Sequence, residues 1–174
     1  CYYQIFVKFN TVDSMGANFI NSCLEKITEV FKFYIEEKKF LDGVTEKIDF
    51  IMSILSNYTP NCIAKASVNC KVKDLEKNNE LNNTNFVENF IRAVKISKVD
   101  TFRAVTHNKG IMNGIDSVVV ATGNDFRSVE AGIHAYASRN GSYSGLSNAY
   151  IRDDSFYFDL TIPISIGTVG GLTK

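Results

Sequence analysis

The hydrophobic positions along this chain change period several times, and each change marks an element. Tyr3, Ile5, Val7 and Phe9 fall on one face of an alternating stretch, which predicts a half-buried strand. From Ser14 to about Lys38 the apolar positions Ile20, Cys23, Leu24, Ile27, Val30, Phe31 and Tyr34 recur at threes and fours. Glu25, Lys26, Glu29, Lys32 and Glu36 occupy the other side, so this is an amphipathic helix, with Asp13 where an N-cap belongs and Asp42-Gly43 as its end. Lys47 to Leu55 is rich in isoleucine and phenylalanine and reads as a second strand. After a turn at Ser56–Asn61, whose Pro60 cannot sit inside a ladder, Cys62 to Val72 alternates as a third strand with one wet face.

The charged, asparagine-rich stretch from Lys73 to Asn85 breaks these patterns and is the expected connector. Phe86, Val87, Phe90, Ile91 and Val94 restart a helical stripe, and Val129, Ile133 and Tyr136 or Ala137 define another between Ser128 and Ser138. Tyr143–Tyr150 and Phe156–Ile162 predict a strand pair across an Arg152-Asp153-Asp154 turn. Ile115–Val120 stays open between strand and helix, because Val118-Val119-Val120 favours a strand on propensity.

Bulk composition narrows the function classes. Nineteen basic and nineteen acidic residues balance, so no polyanion-binding surface is indicated and nucleic acid is not an expected partner. No apolar run approaches the roughly 20 residues of a membrane helix, and no membrane partner is expected. Cys1, Cys23, Cys62 and Cys70 lack metal-ligand spacing, so no metal is expected. Cys62 and Cys70 are expected to share a strand face as small buried thiols in a reduced, cytoplasmic protein, where the sequons at Asn57, Asn82 and Asn140 carry no meaning. A start at Cys1, already inside a strand-like pattern, and a stop soon after a glycine pair read as the two ends of a fragment.

Candidate chemistry lies in a few stretches. Thr106-His107-Asn108-Lys109-Gly110-Ile111-Met112-Asn113-Gly114 sets a lysine between a polar run and a glycine turn, and Gly123-Asn124-Asp125 presents an aspartate at a second turn. A lysine able to reach a carbonyl, with a carboxylate to hold its charge, suits an electrophilic site. Each residue also has a plain structural reading: Asp125 as the cap of a helix from Phe126, Asn113 as a turn former, Arg103 as a surface cation. Asp13-Ser14-Met15-Gly16-Ala17-Asn18 puts an aspartate and a glycine at a helix mouth, where ribose hydroxyls and a phosphate could bind or where a helix is simply capped. Ile166-Gly167-Thr168-Val169-Gly170-Gly171-Leu172-Thr173 is a glycine-rich stretch that lets backbone pack closely.

These stretches, in this order, resemble the hydroxymethylglutaryl-CoA reductases, most closely the class II bacterial form. Asp13, Met15, Gly16 and Asn18 match the Asp-x-Met-Gly-x-Asn signature of the nicotinamide dinucleotide site, and Val99–Val105 with the lysine run matches the segment giving the catalytic lysine. The resemblance implies Lys109 and Asp125 as catalytic residues, Arg103 and Asn113 as substrate contacts, and a helix through Ile115–Val120. Leu172 departs from the family's small residue. The implied fold is α+β: residues 1–72 a small ferredoxin-like nucleotide-binding unit of antiparallel strands plus a helix, 73–85 a connector, and 86–174 part of a larger, mainly helical substrate domain. The implied reaction is reduction of hydroxymethylglutaryl-CoA to mevalonate by two NADH or NADPH with release of coenzyme A, in a homodimer or higher oligomer. Asp13 near a ribose 2′ oxygen leans the cofactor towards NADH. The family's catalytic glutamate and histidine belong to stretches outside this chain; His107 reads as structural and His134 as a satisfied or exposed helix residue. The alternative reading is a catalytically degenerate homologue or a non-enzymatic α+β binding module.

Overall fold

A computed structural model describes residues 3–38, 48–77 and 85–168. The elements are α1 (Ala17–Lys38), β1 (Ile63–Lys71), α2 (Val72–Lys77), α3 (Phe86–Val99), α4 (Thr101–Ala121), α5 (Phe126–Ala137), β2 (Ser147–Arg152) and β3 (Ser155–Pro163). The architecture is α+β: helices with one small antiparallel sheet in the order β1-β3-β2. The chain falls into two compact units, one formed by the residues up to Ser56 with those from Gly167, the other by Asn57–Ile166.

In the first unit the amphipathic spacing yields α1 as expected. Its start is Ala17, where the Gly16 carbonyl accepts from the Ile20 amide, so Asp13 lies in the preceding turn and not at the N-cap. Phe50 packs edge-on against Phe31, and Asn21 accepts from the Leu55 amide at 2.9 Å, so the 50–55 segment runs along the helix. Neither Tyr3–Phe9 nor the described part of Lys47–Leu55 forms a strand. Alternation chooses faces, but a strand exists only where a partner completes its ladder. The antiparallel sheet expected in this unit is therefore not seen among its described residues.

The third expected strand does form, as β1, but its partner is β3 of the second unit, with Ala66 opposite Leu160 and Cys70 opposite Phe156. The division accordingly falls before Asn57, and the start of the expected connector becomes α2, whose Val72 and Leu75 pack into the second unit's core. β1 is an edge strand exposed on both faces, so Cys62 is exposed and Cys70 only half-buried, in place of the shared buried face expected for them. Residues 78–84 of the expected connector lie outside the described residues.

The β2–β3 hairpin turns at Asp153-Asp154, whose φ values of 49° and 58° suit the left-handed two-residue turn that matches strand twist. Its inner face meets α3: Val87, Ile91 and Val94 bury against Ala149 and Phe156, and Phe90 stands edge-on to Phe156 and Phe158 at 5.5 and 5.9 Å. A second cluster joins Met112 and Val119 of α4, Val129, Ile133 and Ala137 of α5, Leu146, and Ile162 of β3.

Candidate functional site

The open question over Ile115–Val120 is settled by α4, which runs unbroken from Thr101 to Ala121. Asp100 caps it by accepting from the Phe102 amide at 2.9 Å. Gly110 and Gly114, expected as turns, sit inside this helix, and a methyl group built on either would meet nothing within 4 Å. Packing on one side keeps the helix intact despite a glycine cost of about 1 kcal/mol each.

That packing sorts the helix into halves. Ala104, Asn108, Met112 and Val119 are buried. At about 100° per residue, Arg103, Thr106, Lys109, Gly110 and Asn113 fall in the opposite half, and all five are exposed. Among the described residues neither Arg103 nor Lys109 forms an ion pair. Arg103, Thr106, His107 and Gly110 line a cleft of about 460 Å³ whose other wall is Ala93, Ile96 and Ser97 of α3.

The end of α4 delivers the aspartate. Gly123, at φ 69°, takes the left-handed position after the helix; its amide bonds the Val120 carbonyl and that of Asn124 bonds Val119. Asp125 follows directly as the N-cap of α5, accepting from the amides of Arg127 at 3.1 Å and Ser128 at 3.3 Å. Its carboxylate also lies 3.9 Å from the Arg127 guanidinium. No ion pair joins Lys109 to Asp125.

The segment Ser144–Ser147 is the residue group the sequence reading missed. Every one of its residues is tied to a helix. The buried Asn108 amide donates to the Ser144 carbonyl at 3.0 Å and accepts from the Leu146 amide at 2.9 Å. Gly145 donates to the Ser97 carbonyl at 2.8 Å and accepts from Lys98 Nζ at 2.6 Å. Burial, then the charge of Arg139, pulls the Lys98 pKa down. His107 Nε2 pairs with Ser147 Oγ at 2.6 Å, and burial, then Lys98 and Arg103, holds its pKa below the usual imidazole value. His107 is thus tied down, as expected for a structural histidine, while still bordering the cleft. The available signal was a polar residue, Asn108, inside the stripe Ala104–Met112 that must face the core.

A second overlooked group lies between α4 and α5. Asp116 Oδ1 is shut off from solvent without a hydrogen-bond partner, and burial, followed by the neighbouring Glu130 carboxyl, pushes the Asp116 pKa up. His134 Nδ1 pairs with the Tyr143 hydroxyl at 2.8 Å, in line with a satisfied helix residue.

In the first unit, Asp13 and Asn18 are exposed, Met15 is half-buried and Gly16 is buried. Gly16 has φ +75°, and a methyl group there would strike the Thr11 side chain. The structure brings this turn to the start of the glycine-rich stretch: Thr168 donates its amide to the Asp13 carbonyl at 2.8 Å and its hydroxyl at 3.3 Å. Open amides at the start of α1 and a buried glycine beside an exposed carboxylate are chemically suited to a dinucleotide. Val169 to Thr173 lie outside the described residues. Among the described residues no cluster of His, Cys, Asp and Glu could hold a metal ion, and no helix is long and apolar enough to cross a membrane.

Known proteins share this fold. The chain superposes on a class II 3-hydroxy-3-methylglutaryl-CoA reductase from Streptococcus pneumoniae, solved bound to NADPH in open conformations, with TM-score 0.78 and 35% identity over 93% of this chain and 37% of that one. A second Streptococcus pneumoniae reductase structure gives TM-score 0.78 at 34% identity, over 92% of this chain and 36% of that one. The probable reductase of Borreliella burgdorferi is 36% identical over 97% of this chain. The reductase of Archaeoglobus fulgidus is 34% identical over 93% of it. The family model for hydroxymethylglutaryl-coenzyme A reductase matches residues 2–174. Fold and motifs thus define a class of α+β protein related to the class II reductases. The chain belongs to the hydroxymethylglutaryl-coenzyme A reductase family. It spans 36% and 33% of the lengths of the Borreliella and Archaeoglobus relatives.

Proposed function

We propose that the protein carrying this chain reduces hydroxymethylglutaryl-CoA to mevalonate with two equivalents of a nicotinamide dinucleotide, releasing coenzyme A. The observation that carries this reading is the outward half of α4, which holds Arg103, Lys109 and Asn113 together on a helix whose other half is locked into the core. Lys109 as ammonium stabilises the oxyanion that forms when the thioester carbonyl is reduced. Arg103 takes the substrate's anionic end and Asn113 contacts the substrate. The nicotinamide supplies the hydride. Asp125 sits at the mouth of α5, one turn of chain beyond α4, and its role is to hold the charge of Lys109 once the site is assembled with substrate.

Asp13, Met15, Gly16 and Asn18 form the nucleotide side, with Asp13 offered to ribose hydroxyls and the α1 amides to phosphate. A 2′-phosphate would meet the Asp13 charge, which favours NADH, whereas the pneumococcal class II relative binds NADPH. The glutamate and histidine that complete the family's proton transfers lie outside this chain, and the assembled enzyme is a homodimer or a higher oligomer.

The test is oxidation of NADH and of NADPH by the full-length protein with hydroxymethylglutaryl-CoA, beside Lys109→Ala. Thioester-dependent consumption that falls by about 10²-fold or more in the variant is expected, the size typical of losing an oxyanion partner. No consumption with either nucleotide, from folded oligomeric protein, would replace this reading with a degenerate scaffold.

A further inference from the structure

We propose that His107 is a second residue of the subsite for the substrate's anionic end: in the α3–α4 cleft it stands one helical turn from Arg103, and the two together receive a carboxylate borne on a short alkyl chain. This rests on the function proposed above and adds to it a residue and a proton. The cleft has the matching chemistry, with Ala93 and Ile96 as an apolar wall, Gly110 leaving room, and Arg103 and His107 supplying polarity.

The ring is held for the task. Its Nε2 pairs at 2.6 Å with Ser147 Oγ, and Ser147 is wholly buried at the start of β2. When Ser147 donates to Nε2, the ring proton lies on Nδ1, so a neutral His107 still has a donor to offer. The charged groups around it are Lys98 from α3 and Arg103 from its own helix, while β2 contributes the uncharged Ser147. Burial, then these two cations, hold the His107 pKa below the usual imidazole value. A carboxylate seated against Arg103 offsets their repulsion and so favours a proton on His107. Linkage is reciprocal: if the anion favours the proton, the proton favours the anion, and affinity for the carboxylate rises as pH falls.

The experiment compares kcat and both KM values across pH for the full-length protein and His107→Gln. Removing one hydrogen bond to a charged group is expected to raise KM for the thioester about tenfold. It should also flatten the pH dependence of that KM, leaving kcat and the nicotinamide KM within about twofold, a split that a purely structural role does not produce. Unchanged thioester KM in a folded variant, or equal losses in kcat and both KM values, would overturn the proposal. Ring NMR signals of His107 during titration with 3-methylglutarate separate the two layers of argument. If the wild-type protein turns nothing over yet the dicarboxylate shifts those signals, the reductase reading fails and the subsite stands. With no shift and no turnover, both fail.

Discussion

Two helices carry the motifs that resemble the family's, and they are held in opposite ways. α4 is gripped through Asn108 by the Ser144–Leu146 backbone, so its outward residues inherit a fixed direction. α1 leaves much of its apolar side open: within its own unit Val30, Phe31 and Tyr34 are 47%, 43% and 51% exposed. In sequence only α1 is a persuasive amphipathic stretch, whereas the glycines at 110 and 114 make the α4 residues look like turns. Periodicity tells which side of a helix wants to be buried, but what grips it is a property of distant segments. Precision at Lys109 therefore comes from buried hydrogen bonds, whereas the Asp13 turn depends on local backbone geometry, with Gly16 folded against Thr11.

The largest effect that would break this contrast is at the grip itself. Asn108→Ala takes their partner from the buried Leu146 amide and the half-buried Ser144 carbonyl, and a loss of about 2–5 kcal/mol is expected in denaturant unfolding. A loss below about 1 kcal/mol would mean that the segment is held by other contacts. Next come paired glycine substitutions in the second unit. Gly145→Ala drives a methyl group into the Ser97 side chain and should cost about 1–3 kcal/mol. Gly110→Ala meets open space and should instead stabilise by up to about 1 kcal/mol while narrowing the cleft, seen as a higher Tm with a raised thioester KM. Equal Tm changes of one sign at both positions would refute the contrast between the tightly held Ser144–Ser147 segment and the open side of α4.

On the α1 side, Gly16→Ala combines positive φ with a clash at Thr11, costing about 1–2 kcal/mol. Its expected signature is weakened nicotinamide binding by isothermal titration with hydroxymethylglutaryl-CoA binding unchanged. Loss of both would show that this turn supports more than the nucleotide. The smallest effect is at Asp116. Its pKa is raised on folding, so the native state holds its proton more tightly and loses stability as pH rises through and above the usual carboxylate range. Asp116→Asn removes that loss: Tm should exceed wild type near about pH 7 and match it near about pH 4. A variant less stable at both pH values would mean that Asp116 makes a contact worth keeping.

Much of the helical framework was legible. The stripes at Ile20–Tyr34, Phe86–Val94 and Val129–Ala137 became α1, α3 and α5, and the acidic turn between strands became the β2–β3 hairpin. Partnership was not legible. Nothing in the alternation of Cys62–Val72 says that its neighbour lies near residue 160, and nothing in Tyr3–Phe9 says that no neighbour follows. The site motifs could be spelled out from sequence, but their setting could not. Gly110 and Gly114 look like turns because glycine propensity is local, whereas the core contacts of Met112 and Val119 that keep α4 whole are not. Asn108 stood beside the lysine with no role until its two backbone partners, far along the chain, were seen.

The division of α4 into a locked half and an outward half also decides which changes of length the gene can accept. Deleting one codon between Phe102 and Val118 would rotate everything beyond it by about 100°, presenting Met112 or Val119 to solvent and turning Asn113 inward. No single replacement undoes such a rotation, so this stretch accepts exchanges of residue but not of number. A codon added at Asn140-Gly141, where the backbone is exposed and already left-handed at glycine, only lengthens a surface loop. Insertions and deletions among relatives should therefore gather at that loop and leave the span from Asp100 to Asp125 at constant length.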